Sequence, residues 1–305
     1  MEVLVFGAGS LGSLVGGLLA REHRVTLVGR DPHVSAVDGD GLTVTGALSA
    51  AVEPAAATAV PAAAAPELVV VTVKAYDTPA AVEALEGIEA AAVLTLQNGM
   101  GPVETLREGL ATPVLAGTCT YGARLAEPGV VECTGVGDVV LGAPGGGPSE
   151  LADRVGGALA AAGVETEVAT DMPRRRWLKL AVNAGINATT ALARVENGAL
   201  LAGPAGGPAR AAAREVAALA RERGVGIAGE EAVAALEGVA RDTAANTSSM
   251  CQDVAAGSRT EVDAINGYVA DALGPEAAPV NATLAGLLRA WEADRGLRDQ
   301  PTGGR

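Results

Sequence analysis

The chain has few aromatic residues, few cysteines and few basic residues. Aromatics make up 2% of its 305 residues, so mostly Ala, Val and Leu supply the 49% hydrophobic content. Cys119, Cys133 and Cys251 are odd in number and far apart, which fits neither a disulfide framework nor a metal site. No apolar run reaches the ~20 residues that span a bilayer, and the acidic start at Met1 and Glu2 is unlike a signal peptide. We therefore expect a soluble, cytoplasmic protein without a metal.

Basic residues are outnumbered by acidic ones. The 22 Lys and Arg residues stand against 36 Asp and Glu residues, which gives a net charge of −14. Nucleic acids and anionic membranes both attract basic surfaces, so neither is expected as a partner. An acidic, lysine-poor surface suits a saline cytoplasm, which says nothing about activity.

Short apolar segments rich in β-branched residues alternate with helical patterns in the first half of the chain. The strand-like segments are residues 2–7, 24–30, 67–74 and 91–99. This alternation predicts crossover units and a parallel, doubly wound sheet. Residues 130–135 and 138–143 are predicted to form a hairpin, and the Ala/Pro-rich residues 51–66 a surface connection.

The pattern changes after residue 171, where long segments rich in Ala, Leu, Glu and Arg predominate. The predicted helices are residues 174–193, 205–224, 229–245, 246–256, 259–273 and 279–294. The sequence thus predicts an α/β domain over residues 1–170 and an all-α domain over residues 171–296. Residues 297–305 have no apolar period and are predicted to form a frayed tail.

The segment GAGSLG has the G-x-G-x-x-G spacing, directly after a strand and at the start of a helix. In dinucleotide-binding sites Gly7 would make the tight turn, Gly9 would let a pyrophosphate approach, and Gly12 would let helix and strand pack closely. Free N–H groups at the helix start would then bind the phosphates. A tight turn in a glycine-rich protein is the structural alternative. The predicted cofactor-binding residues here are Gly7, Ala8, Gly9, Ser10, Leu11 and Gly12.

Arg30 follows the second predicted strand, where NAD-preferring sites usually carry an acidic residue for the ribose hydroxyls. A guanidinium there can bind a 2′-phosphate bidentately and stack on adenine. The sequence therefore predicts NADP(H), with NAD(H) as the weaker alternative because Asp31 follows at once. A solvated loop arginine is the structural alternative.

The only two lysines are Lys74 and Lys179, against 20 arginines. In a chain that uses Arg for nearly every cation, a retained lysine indicates chemistry that needs a compact, titratable ammonium, although chance retention is the alternative. Lys74 and Asn98 end predicted strands, at the edge where doubly wound sheets bind ligands. We expect both to contact cofactor or substrate; Asn98 also carries an Asn-Gly turn signal.

Lys179, Asn183 and Asn187 recur at every fourth position of an otherwise apolar helix, with Thr190 near the same line. Burying these groups without partners would be costly. Because the neighbouring residues are apolar all round, a polar cavity is favoured over exposure to solvent. A lysine lining such a cavity is desolvated, which suits a general acid near neutral pH.

A second polar set lies between residues 246 and 261. If residues 246–256 are helical, Asn246, Ser249 and Asp253 share one face at i, i+3 and i+7. Ser258 and Glu261 have the spacing of a capping box, which is the structural alternative to a functional role for Glu261. A capping glutamate can also point into a cleft.

Seven segments together resemble the 2-dehydropantoate 2-reductase (ketopantoate reductase) family. They are GAGSLG, VTVKA, QNGMG, GTCTYGARLAEPGVV, WLKLAVNAGINATTAL, NTSSMCQD and RTEVDAINGY, in the family's order over residues 5–268. The resemblance implies NADPH-dependent reduction of the 2-keto group of ketopantoate to pantoate, towards pantothenate and coenzyme A. It also implies a Rossmann-like domain followed by a helical domain, as in 6-phosphogluconate dehydrogenase, with the active site in the cleft between them.

The resemblance implies individual roles as well. Lys179 matches the family's proton donor and Glu261 its active-site glutamate. Substrate contacts are implied for Asn98, Lys179, Asn183, Asn187, Asn197 and Ser249. Cofactor contacts are implied for residues 7–12, Arg30, Lys74, Asn98, Ala123 and Glu261.

Two rival functions stay open. One is a sibling reductase of another branched 2-keto acid. The other is an NADP-sensing protein without catalysis, against which the retention of both lysines and Glu261 argues. The oligomeric state is not readable, and a homodimer is one alternative.

Overall fold

The computed structural model describes residues 1–298, which form two compact units. Unit 1 comprises Met1–Gln97 and Gly101–Pro173, and unit 2 comprises Asn98–Met100 and the described chain from Arg174 onward. Three residues of the α/β half of the sequence thus belong with the helical half. Of the predicted tail, only residues 297 and 298 are described, and the rest lies outside the described residues.

Unit 1 contains strands and helices in alternation. Its strands are β1 (Glu2–Phe6), β2 (Arg24–Val28), β3 (Leu42–Gly46), β4 (Ala50–Val52), β5 (Ala55–Ala57), β6 (Leu68–Val71), β7 (Ala92–Thr95), β8 (Val114–Cys119), β9 (Gly122–Glu127), β10 (Val130–Gly135), β11 (Val139–Gly142) and β12 (Thr166–Val168). Its helices are α1 (Ser10–Leu19), α2 (His33–Asp40), α3 (Thr78–Leu85), α4 (Pro102–Gly109) and α5 (Glu150–Ala161).

The larger sheet of unit 1 has the order β5-β2-β1-β6-β7-β8-β11-β12. The six strands from β5 to β8 are parallel, β11 is antiparallel to β8, and β12 is parallel to β11. Strands β6 and β7 are buried along their whole length and apolar except for Thr95, as expected for strands covered by helices on both faces. The doubly wound prediction is confirmed, and the strand order reverses between β1 and β6, where such sheets bind ligands.

The predicted hairpin is wrong. Strand β10 pairs with β9 and β3 in a smaller sheet of order β4-β3-β10-β9, whereas β11 belongs to the larger sheet. The short link between β10 and β11 favours a hairpin locally, but β10 forms its hairpin with the preceding strand β9, and its other partner β3 and both partners of β11 lie farther away in the chain. The predicted connection over residues 51–66 is also partly wrong, because it contains β5 and most of β4.

Among the described residues of unit 2, every regular element is a helix, and the first of these helices begins two residues earlier, in unit 1. Its helices are α6 (Met172–Ala193), α7 (Ala199–Ala202), α8 (Gly206–Glu222), α9 (Gly229–Asp242), α10 (Ser249–Ala255), α11 (Asn266–Leu273) and α12 (Pro279–Asp294). The second half of α6 is buried on most sides, and α8 and α9 pack closely against it: a Cβ at Gly185 would lie 2.1 Å from a Leu236 methyl carbon and 2.7 Å from the Ala209 carbonyl oxygen. Among the described residues, no helix combines the length and apolar character needed to cross a membrane.

Two predicted helix starts are wrong, and both errors bear on the site. Helix α10 begins at Ser249 because the Ser248 Oγ accepts the N–H of Cys251 at 3.2 Å and caps the helix. Asn246 therefore lies outside the helix and does not share a face with Ser249 and Asp253.

The second error concerns the predicted helix at residue 259. A short 3-10 turn, Val262–Ala264, comes first, and α11 begins only at Asn266. The predicted capping box of Ser258 and Glu261 is therefore not formed. The Glu261 carboxylate has a different partner, described below.

Candidate functional site

The G-x-G-x-x-G turn joins β1 to α1, and its three glycines have different reasons to be glycine. Gly7 has φ +113°, and a Cβ there would lie 2.6 Å from the Val73 backbone nitrogen. A Cβ at Gly12 would lie 2.1 Å from the Gly7 carbonyl oxygen. A Cβ at Gly9 would approach nothing closer than 4.0 Å. Packing explains the glycines at 7 and 12, whereas the open space beside Gly9 fits the approach of a pyrophosphate to the start of α1.

A buried histidine ties this helix to its surroundings. The His33 Nδ1 accepts the N–H of Gly129 at 3.1 Å, so its Nε2 carries the proton and donates to the Ser13 Oγ at 2.8 Å. Ser13 lies on α1, His33 begins α2, and Gly129 lies in the turn between β9 and β10. Burial lowers the pKa of His33 below its ordinary value of 6.5.

We expect this histidine to make the protein less stable in mild acid. The unfolded chain takes up a proton near pH 6.5, whereas native His33 takes it up only at lower pH. The contribution of His33 to the free energy of unfolding is therefore complete above about pH 6.5. It is lost as the pH falls further, because the unfolded state then binds more protons than the native state. Urea unfolding at about pH 7.5 and 5.5 measures how much the free energy of unfolding falls between the two pH values. This fall should be smaller in His33→Gln than in the wild type. The control is His23→Gln, at the only other histidine; a decrease that His33→Gln leaves intact would contradict the assignment.

Arg30 lies two residues beyond β2, at the carboxyl end of the parallel strands. Its side chain is 88% exposed and pairs with Asp77 at 3.3 Å. Asp77 lies in the 3-10 turn that follows β6. Sequence reasoning missed this carboxylate, because nothing local connects two residues 47 positions apart.

The other predicted cofactor residues of unit 1 lie around the same edge of the sheet. Lys74 is half-buried and comes directly before the 3-10 turn. Gln97, which sequence reasoning missed although it lies in the QNGMG motif, donates its Nε2 to the Val73 carbonyl at 3.0 Å and so ties the segment after β6 to the segment after β7. The Ser10 Oγ accepts the N–H of Leu125 at 3.1 Å, which brings strand β9, with Ala123, to the start of α1.

In unit 2, the predicted polar line lies on α6. Lys179 and Asn183 are half-buried, and Asn187 is buried. Among the described residues, no side chain forms a hydrogen bond with the Asn183 or Asn187 amides. Two sheltered amides of this kind have donors and acceptors available for a small polar molecule.

Two hydrogen bonds connect other elements to this helix. The Ser248 and Thr190 hydroxyls lie 2.7 Å apart, which brings the start of α10, and with it Ser249, to the carboxyl-terminal part of α6. The Asn266 Nδ2 donates to the Ala184 carbonyl at 2.9 Å, which anchors the start of α11 beside the middle of α6.

Asn98 and Glu261, 163 positions apart, form a direct contact within unit 2. The Asn98 Nδ2 donates to the Glu261 Oε2 at 3.1 Å, and Glu261 is only 6% exposed. Gly99 makes the approach feasible: it has φ +82°, and a Cβ there would lie 2.4 Å from the Ala264 carbonyl oxygen. That oxygen accepts the N–H of Met100 at 2.9 Å. The Asn-Gly signal thus marks a close contact as well as a turn.

Asn197 is placed differently from the other predicted substrate residues. Its Nδ2 donates to the Thr243 hydroxyl at 2.9 Å, and its N–H donates to the Asn246 carbonyl at 3.0 Å. Its Oδ1 is buried and has no hydrogen-bond partner among the described residues. The bonds that Asn197 forms hold the loop after α9, and its contact with substrate stays a prediction.

Comparison with known proteins gives consistent matches along the chain. The family model described as ketopantoate reductase PanE/ApbA matches residues 3–146, and the model of that family's C-terminal domain matches residues 171–292. A protein of Halobacterium salinarum named 2-dehydropantoate 2-reductase is 43% identical over 303 residues, covering 96% of this chain and all of the relative.

Solved structures show the same fold. The PanE/ApbA family ketopantoate reductase of Ralstonia eutropha has a TM-score of 0.87 at 32% identity, covering 97% of this chain and 100% of that one. The structure of D-mandelate dehydrogenase with NADH and anilino(oxo)acetate has a TM-score of 0.90 at 22% identity, covering 98% and 100%. At that identity the second likeness concerns the fold alone.

Proposed function

The chain belongs to the ketopantoate reductase family, and from this premise we propose that it reduces 2-dehydropantoate to pantoate with NADPH. The main support for the proposal comes from two features of unit 2. One is the row of half-buried or buried polar side chains on α6, Lys179, Asn183 and Asn187. The other is the hydrogen bond between Asn98 and Glu261. Full-length relatives named for this reaction support the substrate. A cytoplasmic location and a homodimer stay predictions from the sequence.

The residues of unit 1 fit a nicotinamide dinucleotide. The open space beside Gly9 and the start of α1 suit a pyrophosphate, and the exposed Arg30 suits the 2′-phosphate of NADP. When bound, the reduced nicotinamide supplies the hydride that the keto carbon receives.

The residues of unit 2 supply the other requirements of the reaction. We assign Lys179 to polarise the keto oxygen and to donate the proton that the developing alkoxide takes up, an effect of about 10²–10⁴-fold in rate. Asn183, Asn187 and Ser249 have donors for the substrate carboxylate and acceptors for its hydroxyl. Glu261, held by Asn98, is assigned to orient the lysine or the substrate hydroxyl.

A comparison of keto acids tests the substrate. Purified protein should oxidise NADPH with a higher kcat/KM for ketopantoate than for 2-ketoisovalerate, which lacks the hydroxymethyl group, or for phenylglyoxylate. A preference for either of the other acids would assign the chain to a sibling reductase. Binding of NADPH without oxidation by any of the three would indicate a cofactor-sensing protein.

The preference for NADPH is expected to depend on Arg30. A charge-assisted hydrogen bond to phosphate contributes about 1.5–3 kcal/mol, whereas an exposed ion pair such as Arg30–Asp77 contributes about 0–1 kcal/mol. The phosphate should therefore displace Asp77 from the guanidinium. Arg30→Ala should raise the Kd for NADPH by about ten- to a hundredfold and leave the Kd for NADH nearly unchanged.

The matched control is Arg24→Ala. Arg24 is also exposed and also forms a pair with a carboxylate, that of Glu2 at 3.1 Å, but it lies at the opposite end of β2. Fluorescence titration of both variants with both cofactors makes the comparison. Equal losses for NADPH and NADH in Arg30→Ala would contradict the 2′-phosphate assignment.

A further inference from the structure

Glu292, near the end of α12, is fully buried and bound to the segment that carries Glu261. Its side chain is 0% exposed. Its Oε1 accepts two hydrogen bonds from Thr260, one from the backbone N–H at 2.8 Å and one from the hydroxyl at 2.6 Å. Thr260 is the residue directly before Glu261.

The Thr260 hydroxyl also reaches the residue after Glu261. It accepts the N–H of Val262 at 3.3 Å while it donates to Glu292. Both neighbours of Glu261 are therefore tied to one buried group. Glu261 itself has φ −90° and ψ 24° and lies outside any helix or strand, so no regular backbone ladder holds it there.

Arg298 supplies the positive charge that the buried carboxylate needs. Its Nη1 lies 3.5 Å from the Glu292 Oε2, an ion pair in which neither atom forms a hydrogen bond within the described residues. Its Nη2 binds Asp263, two residues beyond Glu261. The Arg298 side chain is 18% exposed. Asp263 also accepts from the Arg289 Nε at 2.8 Å. The charges are thus paired on both sides of the Glu261 segment, as buried charges require.

We infer that Glu292, Thr260 and Arg298 are positioning residues that fix the direction of the Glu261 carboxylate. We name the three together the Glu261 clamp. Glu261 receives a hydrogen bond from Asn98 on one side, and the clamp holds its backbone on the other. This inference rests on the proposed role of Glu261 in ketopantoate reduction. Because a misplacement of about 1 Å in a site can cost about 10²-fold in rate, the clamp should affect turnover without touching substrate.

The sharpest test is the pair Thr260→Val and Thr260→Ser. Valine keeps the shape and the backbone N–H but removes the hydroxyl that links Glu292 to Val262, whereas serine keeps that hydroxyl. In variants shown to be folded by circular dichroism, Thr260→Val should lower kcat for ketopantoate by about ten- to a hundredfold, and Thr260→Ser should restore most of it. The Kd for NADPH should stay within about twofold, because the nucleotide-binding residues of unit 1 are unchanged.

Thr283→Val is the matched control. Thr283 is an exposed threonine on α12 whose hydroxyl donates to the Pro279 carbonyl at 2.7 Å, so the substitution removes a similar hydrogen bond outside the Glu261 clamp. It should leave kcat, KM and the Kd for NADPH unchanged. Equal losses of kcat in Thr283→Val and Thr260→Val would overturn the inference, as would wild-type kcat in Thr260→Val.

Arg298→Gln provides a second route if Thr260→Val does not fold. It should lower kcat in the same direction. Arg295→Gln should not, because within residues 1–298 the Arg295 side chain contacts only the exposed Asp294 and Trp291, one turn earlier. Wild-type kcat in folded Arg298→Gln would overturn the role of Arg298.

Amide exchange separates this inference from the proposed function. If the wild-type chain does not reduce ketopantoate, the proposed function fails, yet the Glu261 clamp still predicts that the Val262 N–H exchanges about three- to tenfold faster in Thr260→Val. Unchanged exchange at Val262 would overturn the clamp, whatever the activity.

Discussion

Replacing Lys179 with Ala should reduce turnover of ketopantoate by about 10²–10⁴-fold, the range of general acid catalysis. Lys179 is half-buried on α6, one turn before Asn183, and is the proposed donor of the proton that converts the alkoxide into the hydroxyl of pantoate. The loss should appear in kcat, measured by NADPH oxidation at saturating ketopantoate. The Kd for NADPH should remain near that of the wild type, because Lys179 belongs to unit 2 and the nucleotide-binding turn to unit 1.

Lys179→Arg distinguishes proton donation by Lys179 from electrostatic stabilisation of the alkoxide by its positive charge. Arginine keeps the positive charge but does not release its proton in proteins, and its planar fork differs from the compact ammonium. It should therefore recover little of the activity that alanine loses. Turnover near the wild-type rate in Lys179→Ala would exclude the proton-donor role, and recovery by arginine would reduce that role to electrostatic stabilisation.

The second large effect is expected at Gly9. A Cβ at this position meets no protein atom closer than 4.0 Å, so Gly9→Ala should fold normally. The methyl group would occupy the space through which the pyrophosphate approaches the start of α1, and would weaken charge-assisted hydrogen bonds of about 1.5–3 kcal/mol each. The Kd for NADPH and for NADH should both rise by about ten- to a hundredfold. Fluorescence titration measures the change.

Two other glycines serve as controls for Gly9. Gly39, on α2, also has open space around its missing Cβ, so Gly39→Ala should leave cofactor affinity unchanged. Gly12→Ala should instead reduce the yield of folded protein, because its Cβ would lie 2.1 Å from the Gly7 carbonyl oxygen. If Gly9→Ala bound both cofactors as tightly as the wild type, the space beside Gly9 would not be the pyrophosphate site.

The sequence predicted those parts of the fold that depend on local pattern. The apolar segments that became β1, β2, β6 and β7 and the helical segments after residue 171 follow from periodicity and length. The partners of β10 and β11 did not follow, because three of the four pairings join β10 or β11 to segments far away in the chain; only β9 is adjacent to β10. The β10 segment pairs with β3, more than 80 positions earlier, and no local signal indicates this.

The same distinction applies to the site. The line of Lys179, Asn183 and Asn187 could be predicted, since it depends on the period of one helix. The role of Glu261 was ambiguous from spacing, because Ser258 made a capping box equally suitable. Contacts between residues far apart in the chain place its carboxylate: Asn98 binds the Glu261 carboxylate, and Glu292 binds the preceding residue. The role of Glu261 in the reaction stays a prediction.

The proposed reductase activity is tested by the reaction of the purified 305-residue chain with ketopantoate and NADPH. NADPH oxidation and pantoate formation should be followed together, at low and at high salt. We predict one pantoate for each NADPH consumed, with turnover that Lys179→Ala abolishes almost completely. NADPH binding without pantoate formation at any salt concentration would contradict the proposed reduction of ketopantoate by this protein.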